Sequence, residues 1–152
     1  MKENELIIKL FEDLFEGSSW IDVTIMGTLK GISSKNASKK LCANQNSIWE
    51  IVNHLISWRL NVLHRVQGKV INTPLNNYFE PITDSSQSAW KRTLRELQDS
   101  QTQWLQFLKT LKPDAFSKVY PINKMTYYEH IHGIIQHDAY HLGQIILLAK
   151  YF

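Results

Sequence analysis

His137 and His141 stand four residues apart, a spacing that stacks both imidazoles on one side of an α-helix, one turn above the other. Neutral imidazole is the commonest protein ligand for metal ions. A third histidine, His54, lies far earlier in the chain, at the matching margin of a second amphipathic stretch. Three imidazoles from two helices can hold one divalent ion and leave a position for water or substrate. A catalytic site needs that open position and a closed structural site lacks it. Zinc and nickel suit imidazole, and iron becomes an option if a carboxylate joins. The plainer alternative is a chance pair of helical histidines and a half-buried core histidine.

The neighbours sharpen the question. His130 falls two turns before His137 on nearly the same line and is a candidate outer ligand or pocket wall. His132 and His64 point elsewhere and read as surface residues. Asp138 projects toward the apolar stripe between Ile134 and Leu142, where a charge needs a partner. It can accept the distal N–H of a ligating imidazole, with His54 the candidate, or pair with Arg59, or take a backbone donor. Trp58 and Asn61 share a face with His54 and are candidates to line a cavity. Gly143 costs helix propensity, which predicts close packing by another helix, with Gln144 hydrogen-bonding across the contact. No catalytic side chain can be named. The chain has no Gly-rich phosphate loop, no His-Glu-x-x-His, no serine elbow and no paired glutamates at di-iron spacing. Cys42, beside Lys39 and Lys40, reads as a bystander thiol.

Four amphipathic helices must position these groups. Apolar spacing over residues 3–30 predicts one long helix with a weak or bent middle at Gly17-Ser18-Ser19, stopped by Gly31. Residues 31–46 read as loop, with a short turn near Ala37–Leu41. Ser47 and Glu50 have capping-box spacing ahead of a stripe from Ile48 to Val66, closed by Gly68. Residues 69–83, with Pro74, Asn76-Asn77 and Pro81, predict a long crossover loop that passes over one end of the site. A third helix runs from Asp84 or Ser85 to Leu108. Pro113 bars its continuation, and Val119–Ile122 reads as extended. The fourth helix spans Met125–Lys150, with Ile131, Ile134, Ile135, Leu142, Ile145, Ile146 and Ala149 inside. One-striped helices bury their stripes against each other, so the fold class is all-α: a four-helix bundle with long crossover connections.

The 152 residues suit one domain, 1–152. Seventeen basic and 14 acidic side chains leave a formal charge of +3, too weak a bias for a nucleic-acid surface. A single cysteine fits a reducing compartment, and neither a signal peptide nor a membrane span is read in the chain, so the expected location is cytoplasmic. Five tryptophans supply large rigid fillers for helix contacts or an interface.

The run His137-Asp138-Ala139-Tyr140-His141-Leu142-Gly143-Gln144-Ile145, with Asn53-His54-Leu55-Ile56-Ser57-Trp58 before it, resembles the DinB-like superfamily across essentially the whole chain. The resemblance implies a four-helix bundle in which His54, His137 and His141 hold a divalent ion, and a homodimer. Relatives with established chemistry are metal-dependent thiol transferases, among them bacillithiol and mycothiol S-transferases, and a thiol-dependent maleylpyruvate isomerase. The implied function is therefore an S-transferase in which the ion activates a low-molecular-weight thiol for attack on an electrophile. His130, Trp58 and Asn61 would shape its cavity, and Arg59, Arg65 and Lys124 are candidates to hold the thiol's acidic groups. The alternatives are a hydrolase using metal-activated water, or a non-catalytic metal-binding dimer of the stress response.

Overall fold

The computed structural model describes residues 2–152. Four long helices carry the fold: α1 (Glu3–Phe15), α4 (Ile48–Val66), α5 (Gln87–Thr110) and α6 (Tyr127–Ala149). Two short ones, α2 (Ile25–Leu29) and α3 (Ser34–Ala37), lie between α1 and α4. The all-α bundle expected from periodicity is what forms, with no strand among the described residues.

The long helices start where side chains can satisfy the first free backbone N–H groups. In α4, Ser47 Oγ accepts from the Glu50 N–H at 3.2 Å, and Glu50 Oε2 accepts from the Ser47 N–H at 2.7 Å, the reciprocal box read from the sequence. Thr126 and Glu129 form a second box at the start of α6. Ser86 caps α5 through the Ala89 N–H, so this helix begins later than its acidic approach suggested. Gly68, at φ +90°, ends α4 in a conformation that favours glycine.

Residues 3–30 depart from expectation. The helix does not bend at Gly17-Ser18-Ser19; it stops at Phe15. The Gly17 N–H turns back onto the Glu12 carbonyl, Asp13 Oδ1 receives the Ser18 N–H, and Asp22 adopts φ +61°. Thr24 then caps the new helix α2 through the Gly27 N–H. Local side-chain bonds thus replace a turn of helix, and Trp20 is left 95% exposed. The turn expected near Ala37–Leu41 sits earlier, as α3. Beyond Pro113 a 3-10 turn (Pro113–Ser117) leads to an antiparallel bridge between Val119 and Thr126; the extension expected over Val119–Ile122 holds only at its start, since Pro121 and Ile122 lie in a turn.

The core has two apolar clusters stacked along the bundle. One gathers Ile48, Ile51, Val52 and Leu55 of α4 with Trp90 and Leu97 of α5 and Leu142 and Ile145 of α6. The other gathers Ile7 and Phe11 of α1 with Val62, Leu63, Trp104, Ile131 and Ile134. Each fully buried leucine or isoleucine contributes about 1.5–3 kcal/mol. Between the two, in the register of α4, α5 and α6, lie Arg59, Ser100, Gln101 and Asp138, all buried. The most extensive helix pairing is α4 on α6, and this is the pair that carries the histidines.

Candidate metal centre

His54 from the middle of α4 and His137 and His141 from α6 converge. One ring nitrogen from each lies within 4.8 Å of the other two. The Nε2 atoms of His54 and His137 are 3.0 Å apart. His54 is 1% exposed, His141 is buried and His137 half-buried.

The tautomers follow from the outer partners. His54 Nδ1 lies 2.7 Å from the Asn77 carbonyl oxygen, an acceptor only, so Nδ1 carries the proton and Nε2 presents its lone pair inward. His141 Nδ1 donates to Gln144 Oε1 at 2.7 Å, which likewise frees its Nε2. The Gln144 amide is itself held by donating to the Tyr140 hydroxyl. His137 Nδ1 is buried without a partner. Whichever nitrogen of His137 bears the proton, the protein alone leaves it unsatisfied. Either a bare acceptor is buried at Nδ1, or a bare N–H is buried there while two lone pairs face each other at Nε2. Three inward imidazole nitrogens fit a divalent cation. The 3.0 Å between the His54 and His137 nitrogens is close to the roughly 3.3 Å expected between two nitrogens of a tetrahedral site with bonds of about 2.05 Å.

Electrostatics agree with that fit. Burial pushes His54 down to about 4, with the nearby His141 adding to the effect against the Asn77 carbonyl. Burial, then His141 and His54, hold His137 down to about 3. Burial also lowers His141, opposed by Gln144. At neutral pH all three rings are uncharged, the state in which imidazole binds metal.

The long loop closes over this centre, as its length suggested. Asn77 and Tyr78 both take left-handed conformations, φ +53° and +62°, after a turn in which the Asn77 N–H bonds the Pro74 carbonyl. Asparagine tolerates this region readily. Tyr78 is held in it by Asn61 Nδ2, which donates to its hydroxyl at 2.6 Å, and by edge contact with Trp58. Trp58 Nε1 in turn donates to Asn77 Oδ1. Phe79 lies flat on His54, ring centres 4.0 Å apart. Trp58 and Asn61 therefore anchor the loop that orients His54. The roles of Asn77, Phe79 and Gln144 were not read from the sequence. The Asn76-Asn77 pair was its one signal, a turn that could point a carbonyl at the site.

The alternatives left open for the neighbouring residues resolve as follows. Asp138 does not reach His54: it pairs with Arg59 inside the core. One residue along a helix turns a side chain by about 100°, enough to send Asp138 inward and His137 toward the site. Gly143 packs against nothing; a Cβ there would meet open space, and Gln144 bonds its own helix instead. His130 is buried but outside the triad. It lines, with His137, Trp58 and Arg65, a cavity of about 220 Å³, its Nε2 3.3 Å from Asn123 Oδ1. His64 and His132 are half-buried and take no part in the cluster, and Cys42 is an exposed free thiol.

The family model of the DinB superfamily matches residues 25–145, a stretch that contains all three histidines. No curated protein and no solved structure matches the chain.

Proposed function

The chain belongs to the DinB superfamily, and on that premise we propose that it is a divalent-metal-dependent enzyme transferring a low-molecular-weight thiol to a small electrophile. The observation that carries the metal is the convergence of three neutral imidazoles whose inward nitrogens have only one another. His54, His137 and His141 would hold the ion, zinc or nickel by ligand preference. Bound there, it supplies Lewis acidity that lowers the pKa of a coordinating group. Uncharged ligands leave the ion its full double charge, which favours an anionic partner such as a thiolate. Asn77 and Gln144 hold the ring orientations, and Phe79 and Trp58 keep water from one side. Cys42 is exposed and outside the cluster, so the thiol comes from outside the chain.

For the hydrolase reading Asp138, the carboxylate next to His137 in sequence, does not serve as the base, because it is buried against Arg59. A purely metal-binding role is disfavoured by the cavity that opens beside His137. Exposed Tyr140, Leu147 and Tyr151 on the outer side of α6 and just beyond it support a homodimer through that face. No helix among the described residues is long and apolar enough to cross a membrane.

Elemental analysis of the purified protein, followed by cobalt substitution and thiol titration, tests this reading. One equivalent of metal and a sulfur-to-cobalt charge-transfer band are expected. Metal without the band would remove the thiol chemistry, and no metal after reconstitution would remove the centre.

A further inference from the structure

Two buried arginines lie on α4, and they are treated differently. Arg59 has Asp138 as counterion. Arg65, 9% exposed, has none: no carboxylate among the described residues lies within ion-pair distance of it. Its guanidinium sits over the Trp58 and Tyr120 rings, at 5.3 and 5.1 Å, and one Nη donates to Thr73 Oγ1 at 3.1 Å. Its Nε is buried with no partner. A buried, always-charged group with a free donor is costly unless something else completes it.

Arg65 lines the cavity beside His137, together with Trp58, Val62, His130 and Ile134. We propose that this cavity is a carboxylate-binding subsite, in which Arg65 receives the acid end of a small organic ligand whose other end reaches the three-histidine centre. The planar guanidinium fork matches a carboxylate, and the rings above it fix its plane. Trp58, Val62 and Ile134 suit a short hydrocarbon chain. At about 220 Å³ the cavity suits a short acid. Two other titratable groups face it. Glu129 is at the rim, its Oε2 engaged by the Thr126 N–H and hydroxyl at the start of α6. His130 is held toward Asn123 and stands edge-on to Tyr120. The inference rests on the reading of the histidines as an open metal centre and adds the substrate class.

The test compares 3-mercaptopropionate with its neutral isostere 3-mercaptopropionamide by calorimetry on zinc-loaded protein, with propionate as a sulfur-free probe and cobalt absorbance reporting sulfur coordination. The acid is expected to bind about tenfold tighter than the amide or more. Arg65→Gln should abolish that preference and Arg65→Lys restore part of it, with metal content unchanged. Equal affinity of acid and amide for the wild-type protein would overturn the subsite, and this comparison needs no variant to fold. Propionate binding that depends on Arg65, without a cobalt–sulfur band from either thiol, would uphold the subsite and defeat the thiol reading. A band from both thiols with no acid preference would do the reverse.

Discussion

Neighbouring residues on α6 serve two polar clusters with opposite logic. Asp138 joins a closed network: Arg59 donates to Asp138 Oδ2, to Gln101 Oε1 and, from Nε at 3.0 Å, to Ser100 Oγ. Gln101 passes the network on to the Phe11 carbonyl, and the rings of Phe11 and Phe15 pack on the guanidinium. One oxygen, Asp138 Oδ1, is left over. His137 joins an open cluster, in which the donors that point outward are satisfied by Asn77 and Gln144 and the nitrogens that point inward have only each other. Polar groups that complete one another fasten helices together. Polar groups oriented by the protein and left facing a common point are arranged for something the protein does not itself contain.

The largest effect expected separates the clusters by what fails. Asp138→Ala strands the Arg59 guanidinium and should cost about 3–5 kcal/mol of unfolding free energy, read by urea denaturation of the metal-free protein. Burial pushes Asp138 up to about 6 against the pull of Arg59, so desolvation outweighs the pairing while the carboxyl is still ionised at neutral pH. Replacing both partners by apolar groups, Arg59→Met with Asp138→Leu, should therefore cost far less than the two single changes added together. Additive costs would mean that the two side chains are not energetically coupled and would blur the contrast.

Next comes His54→Ala. Metal affinity should fall by more than about 100-fold, beyond the 10–100-fold typical of outer partners, while the metal-free chain keeps its helical circular dichroism. A variant that unfolds without metal would place the histidines in the structural class after all. Gln144→Ala should weaken metal binding by about tenfold through loss of ring orientation, leaving stability unchanged. No change in affinity would mean that His141 is oriented by packing alone.

The difference between the clusters also governs how much was legible in the sequence. The triad could be read because an i, i+4 histidine pair has one geometry on a helix, and helix existence followed from long apolar stripes. Capping of α4 was equally local: Ser47 and Glu50 need only each other. The stop after Phe15 was harder, since a glycine and two serines permit either a bend or an end, and the outcome depended on Asp13 and Glu12 capturing the free N–H groups. The partner of Asp138 was undecidable because His54 and Arg59 are five residues apart on α4, on different sides, and the rotation of α4 against α6 decides between them. Phe79 and the Asn77 carbonyl were out of reach for a stronger reason. Left-handed conformations at successive non-glycine residues are set by the tertiary contacts of Trp58 and Asn61, which periodicity does not encode.

Gly143 gives the smallest effect and tests the outer boundary of the open cluster. It sits between His141 and Gln144 on an exposed stretch of α6, where an added methyl would touch nothing within 4 Å. Within the isolated chain a glycine there only raises the entropy cost of helix formation, so Gly143→Ala should stabilise the protein by about 0.5–1 kcal/mol. Metal affinity should not change, because the His141–Gln144 bond is unaffected by a methyl on the opposite margin. If a second copy packs on this face, the absent side chain is what lets the two backbones approach. The same substitution would then shift the protein toward monomer in light scattering as it stabilises the single chain. Greater stability with an unchanged mass would leave Gly143 with no part in either cluster or in an interface. Greater stability with loss of the dimer would make the helix behind His141 a contact surface, and the metal centre a feature shared with the assembly.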